Sequence, residues 1–113
     1  GFANPMLYLF EGRLAALHLG AGRNEEALRH VRRSIQAEPA IGLSARPIEP
    51  AALALLGRLD EARELVRALR AERPHWTLQF ARVFLPPEAV DALAEGLRRA
   101  GWDPTDPDAA SDG

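Results

Sequence analysis

Three observations predict an all-α fold, built as a short solenoid of antiparallel helix pairs with about six helices. Ala, Leu, Arg and Glu dominate, and all four are strong helix formers, whereas Thr, Ser, Asn and Gln are scarce. A block repeats at an offset of 35 residues, with Gly22-Arg23-Asn24-Glu25-Glu26-Ala27 answered by Gly57-Arg58-Leu59-Asp60-Glu61-Ala62. Apolar residues recur at helical spacing in every segment, and Gly or Pro punctuates the joints.

The helices follow in order. Asn4-Pro5 reads as an N-cap followed by Pro at the first helical position. Met6, Phe10, Leu14 and Leu17 then recur at helical spacing until Gly20-Ala21-Gly22 ends the first helix. The second runs over about 25–37 and buries Ala27, Leu28, Val31 and Ile35, leaving His30 on its outer side. Residues 38–46 form a longer connection. The third helix carries Pro47 and Pro50 where its first turns belong, so it is expected to start near Pro50 and to reach only about Leu56. The fourth, over about 59–72, turns Ala62, Leu65, Val66 and Leu69 inward, with acids at its start and Arg67, Arg70 and Arg73 at its end, as the helix dipole favours. A short fifth helix over about 77–84 places Trp76, Phe80, Val83 and Phe84 on one face. The last starts at Pro86-Pro87 and buries Val90, Leu93, Ala94 and Leu97. Gly101 is its expected left-handed cap, with Trp102 folding back on Leu97.

Within the repeat, each Ala is followed four residues on by Val (Val31, Val66) and twelve residues on by Pro (Pro39, Pro74). The small Ala lets two helices approach, the Val fills the gap one turn on, and the Pro stops the helix. This pattern resembles the second-helix half of the tetratricopeptide repeat, and residues 6–74 resemble two such repeats, about 6–39 and 43–74. In that register the family's Trp, Leu, Gly and Tyr positions hold Glu11, Leu14, Ala15 and His18 in the first repeat. In the second they hold Arg46, Glu49, Pro50 and Leu53, a departure that falls on the first half of the third helix. The resemblance implies a repeat domain over 1–102 closed by capping helices over 76–101. It also implies a groove lined by the first helices, here Leu9, Gly12, Arg13, Ala16 and Gly20.

A narrower resemblance covers Ala52-Leu53-Ala54-Leu55-Leu56-Gly57-Arg58-Leu59-Asp60-Glu61-Ala62-Arg63, then Pro74-His75-Trp76-Thr77-Leu78, then Glu95-Gly96-Leu97-Arg98-Arg99-Ala100-Gly101. This order is similar to the C-terminal repeat region of bacterial signalling proteins that carry a class III adenylate/guanylate cyclase domain or a winged-helix domain. It implies a regulatory segment. The catalytic motifs of such cyclases are absent from these 113 residues, so no activity carries over. The chain opens at Gly1-Phe2 rather than Met and is read as a segment of a longer protein.

Composition excludes several classes of function. With no cysteine there is no disulfide scaffold, thiolate zinc site or cysteine nucleophile. No run of 18 apolar residues spans a membrane. All 14 basic residues are Arg, against 16 acids and a net charge of -2. Four of the acids, Asp103, Asp106, Asp108 and Asp112, lie in a Pro-rich tail over 103–113 expected to be disordered. Neither the whole chain nor its body has the positive balance of a nucleic-acid binder.

No residue set announces catalysis. His18, His30 and His75 lack metal-ligand spacing, and each is expected to be structural. Glu25-Glu26 and Asp60-Glu61 point about 100° apart on their helices, so they are first-turn charges and not converging acid/base pairs. Arg29, Arg32 and Arg33, echoed by Arg63, Arg67 and Arg70, are expected to be solvated and balanced by nearby Glu. Catalytic, cofactor and metal residues are therefore expected to be none.

The expected role is a non-enzymatic, cytoplasmic protein-interaction and regulatory module. Its partner would be a protein or peptide, another domain of the same parent chain, or a second copy. Met6, Leu7 and Phe10 would form a self-association face, because two repeats and a cap make an incomplete stack. The alternatives are the C-terminal part of a transcriptional regulator and a small helical ligand-binding bundle.

Overall fold

The computed structural model describes residues 5–38 and 45–105. Among them lie six helices and no strand: α1 (Pro5–Gly20), α2 (Asn24–Ala37), α3 (Ile48–Leu55), α4 (Leu59–Glu72), α5 (Leu78–Phe84) and α6 (Pro87–Arg99). The fold is all-α.

The sequence repeat is a repeat of backbone. α2 and α4 are both 14 residues long, and both of their ends are displaced by the same offset as the sequence block. Arg23 (φ -89°, ψ 74°) and Arg58 (φ -87°, ψ 66°) lead into them in nearly the same conformation. The preceding helix ends match as well. Gly22 at φ 80° and Gly57 at φ 84° supply a left-handed residue that favours glycine. Arg23 N–H donates to the His18 carbonyl and Gly22 N–H to that of Leu19, and Arg58 and Gly57 do the same to Leu53 and Ala54. These paired bonds are the Schellman ending, which satisfies carbonyls a helix end would leave orphaned. α6 closes the same way, with Gly101 at φ 91° and Trp102 N–H bonded to the Leu97 carbonyl at 2.9 Å, as its sequence predicts.

α3 matches only the second half of α1. Its eight residues begin at Ile48, two residues before the expected start, with Pro47 at the N-cap. Pro50 is tolerated because first-turn N–H groups have no intrahelical acceptor to lose.

α1 and α2 pack as one helical hairpin and α3 and α4 as another, with α2 resting on α3. α6 lies across α1 and α3, the first helices of the two hairpins. Leu19, Val31, Ile48, Leu53, Val90, Leu93 and Leu97 fill the space between these elements and are fully buried or nearly so. Two glycines set the distances. A Cβ on Gly96 of α6 would stand 2.5 Å from the Ala51 carbonyl oxygen and 2.7 Å from its Cα. One on Gly20 of α1 would stand 2.9 Å from the Ala89 nitrogen of α6. At both crossings backbone meets backbone.

α5 splits the apolar set expected on one face, with Trp76 buried and the other three exposed. Leu78 and Ala81 are its buried residues, and Phe80, Val83 and Phe84 are exposed. Its start is fixed by Leu78 N–H donating to the Pro104 carbonyl at 2.9 Å, which leaves the small face inward and the aromatic face outward. Trp76 is buried against Trp102, ring centroids 5.2 Å apart. The expected tail is ordered at its beginning. Pro104 is buried, and Asp103 Oδ1 accepts from the Thr105 hydroxyl at 2.6 Å and the Thr105 N–H at 3.0 Å. Those bonds, with Arg98 nearby, hold the Asp103 carboxyl below its ordinary range. Residues 106–113 and Asn4 lie outside the described residues.

Candidate interaction surface

α1 is apolar almost all round, and its two sides have different fates. Glu11, Ala15, Ala16 and Leu19 face the interior, while Met6, Leu7, Leu9, Phe10 and Leu17 are between 47% and 67% exposed. A helix of this composition is ordinarily buried on all sides. The three residues expected to form a self-association face, Met6, Leu7 and Phe10, are all on the exposed side.

The residues expected to line one groove are not brought together. Ala16 is buried, and Gly20 lies under the start of α6 against Glu88 and Ala89. Gly12 turns to another side, where a Cβ would stand 3.4 Å from Ala45 Cβ and Ser34 Oγ. Leu9 and Arg13 are exposed beside Met6 and Phe10. A shallow hollow of about 240 Å³ remains between Ala16, Leu17 and Gly20 of α1 and Pro86, which precedes α6, and Ala89 within it. Phe80, Val83 and Phe84 add a second exposed apolar row on α5.

The polar side chains of the first hairpin are organised inward, against expectation. His30 is buried, not on the outer side of α2, and its Nδ1 lies 2.5 Å from Glu11 Oε2. The His30 ring stacks in parallel on His18, centroids 5.2 Å apart. His18 Nδ1 accepts from Arg23 Nε–H at 2.8 Å, which requires the neutral imidazole. Partial burial, and then the Arg23 and His30 charges, hold its pKa below the ordinary value. The Trp and Tyr positions of the resembled repeat thus carry a polar ladder that ties α1 to α2. Its partners are up to 19 residues apart in sequence, so local spacing gives no sign of it.

Arg32, Arg33 and Arg63 of the two arginine rows each lie within 4 Å of a carboxylate. Arg32 Nε donates to Glu49 Oε2 at 2.9 Å and comes within 3.9 Å of Glu61, linking α2, α3 and α4. Arg46 reaches Glu72 at 3.1 Å, and Arg63 lies 3.8 Å from Asp60. No group of three His, Cys, Asp or Glu side chains among the described residues converges to hold a metal ion. No described helix is long and apolar enough to cross a membrane.

The described residues define an all-helical protein whose most distinctive surface is apolar. No family model, no curated protein and no solved structure matches the chain.

Proposed function

We propose that this chain is a non-enzymatic protein-interaction module, a tetratricopeptide-like regulatory segment of a larger cytoplasmic bacterial signalling protein of the adenylate-cyclase kind. The exposed apolar row of α1 carries the interaction part of that reading. Five large apolar side chains on one helix are exposed, and such rows are characteristic of surfaces that another chain covers. The 35-residue repeat, expressed in both sequence and backbone, supports the repeat assignment. The parent's identity rests on the sequence resemblance alone. α6 covers α1 near Gly20, and the exposed Leu9 and Arg13 of the expected groove adjoin Met6 and Phe10, so the partner docks on the outer face of α1.

The test is a titration of the 113-residue chain with amphipathic helical peptides, followed by amide chemical shifts. Shifts confined to α1, and their loss on Phe10→Asp, are expected. Thermal melts with nucleotides and divalent metals form the second arm. A melting temperature raised by either, with no peptide response at α1, would replace this reading with that of a ligand-binding bundle.

A further inference from the structure

The outward residues of α1 have an internal order that specifies a partner. Met6, Phe10, Arg13 and Leu17 are spaced by four, three and four residues, which is the seam of a two-helix coiled coil. Leu7 and Leu14 flank the seam on one side and Leu9 on the other. Arg13 is its only charge.

The seam is symmetric about its own midpoint. When a second α1 is laid against it antiparallel about a two-fold axis, Met6 meets Leu17 of the other copy and Phe10 meets Arg13, each pair occurring twice. Every layer is then apolar on apolar or a guanidinium over an aromatic ring, a favourable arrangement. A parallel pairing sets Arg13 against Arg13 inside the seam, like charge on like charge. A single charged core position selecting register and orientation is a known device of coiled coils.

The area is sufficient. Side chains of this size present roughly 150–250 Å² each when bare. At the exposures found, the five apolar residues amount to about 500 Å², the upper end for an ordinary monomer. Doubled across the axis this is about 1,000 Å², where specific interfaces begin. The hollow beside Leu17 and Pro86 lies at the end of the seam that receives Met6 of the other copy.

The geometry points to a second copy of this chain as the occupant of the α1 face, docked antiparallel with Arg13 of each copy over Phe10 of the other. This rests on the reading of that face as an interaction surface and names its partner. The symmetry is isologous and closes at two copies, so no filament follows.

Absence of native cysteine makes the arrangement directly testable. A Met6→Cys chain and a Leu17→Cys chain are mixed and oxidised, and the disulfides are separated by mass. The antiparallel seam brings 6 opposite 17. It holds 6 from 6, and 17 from 17, about 16 Å apart along the axis, too far for a disulfide. The mixed species is therefore expected to predominate over both homotypic ones. Light scattering of the unmodified chain should give a mass near twice 12.3 kDa, and Leu17→Asp should give a monomer with unchanged circular dichroism.

A predominant Met6→Cys homotypic disulfide would overturn the antiparallel register. A monomeric unmodified chain, or a Leu17→Asp variant that stays dimeric, would overturn the second copy as occupant. If that monomer still binds helical peptides at α1, the interaction reading survives without this inference. If it binds none, both fail.

Discussion

Replacing Gly96 by alanine adds one methyl group at the point where α6 crosses α3. The new carbon would lie 2.5 Å from the Ala51 carbonyl oxygen, 2.7 Å from its Cα and 2.8 Å from its Cβ. Ordinary carbon contacts sit at about 3.5–4.0 Å, so the helices must part by about 1 Å. The obstacle is mainly the backbone of a helix, which cannot swing aside as a side chain does. Overpacking of this kind costs about 1–3 kcal/mol, and a rigid obstacle places it at the upper end. Against that stands about 1 kcal/mol that alanine gains over glycine in a helix interior. The net expectation is a loss of about 2 kcal/mol, or a fall in Tm of roughly 10 °C for a domain of this size. Gly12→Ala is the internal control. It makes the same substitution in a helix interior, but the new carbon meets Ala45 and Ser34 at 3.4 Å, which is contact without overlap. The helix gain then survives, and stability should hold or rise by up to about 1 kcal/mol. Urea unfolding followed by circular dichroism and tryptophan fluorescence measures both. A Gly96→Ala variant as stable as the parent chain, or two variants that fall equally, would refute the reasoning from close approach.

The remaining expectations concern the polar ladder and the chain's end. Glu11→Ala leaves the buried His30 without its acceptor and should cost about 1–3 kcal/mol, whereas Glu11→Gln keeps an acceptor and should cost less; a double-mutant cycle with His30→Ala checks that the two effects are coupled. His18 is held below its ordinary value of 6.5, so the unfolded chain binds the proton more readily. The stability this contributes is complete above 6.5 and is lost as pH falls from there through the folded value. Unfolding free energy measured across that range should decline, and His18→Phe, which retains a stacked ring, should flatten the decline. Gly101→Ala forces a non-glycine residue to φ 91° and should cost about 1–2 kcal/mol, with α6 fraying at its end in hydrogen exchange. Trp102→Ala removes a buried ring packed on Trp76 and should cost about 3–5 kcal/mol by denaturant titration.

α2 and α4 were legible to within a residue or two because each sets an apolar stripe against charged neighbours, and that pattern orients them except at His30. The glycine ends were legible because each needs a positive φ that few other residues accept. α1 was legible as a helix but not in orientation, since apolar residues on every side leave no stripe to follow. Met6, Leu7 and Phe10 were expected outward, and Leu17 joins them because α2 and α6 cover the opposite side. α5 presents Phe80, Val83 and Phe84 outward, so residue size does not decide its burial. In so short a helix, the anchor at Leu78 and the small Ala81 decide instead. The Glu11–His30 pair joins positions on different helices, and no local spacing announces it. Gly96 did carry a signal, because a glycine in mid-helix is unfavourable by about 1 kcal/mol unless something needs the missing side chain.

The two crossings of α6 amount to a measurement of the stack. Ala89 rests on Gly20 of the first hairpin and Gly96 rests on Ala51 of the second. These contact points are seven residues apart, a rise of about 10 Å, which is the spacing of two packed helices. α6 is thus a caliper set to two hairpins. In an open solenoid each unit touches only its neighbours, and units can be added or removed with little effect on the rest. Here a third hairpin inserted between the two would separate the caliper's jaws, and deleting one would leave a jaw closing on nothing. The spacing of these two hairpins is written into the length of one helix.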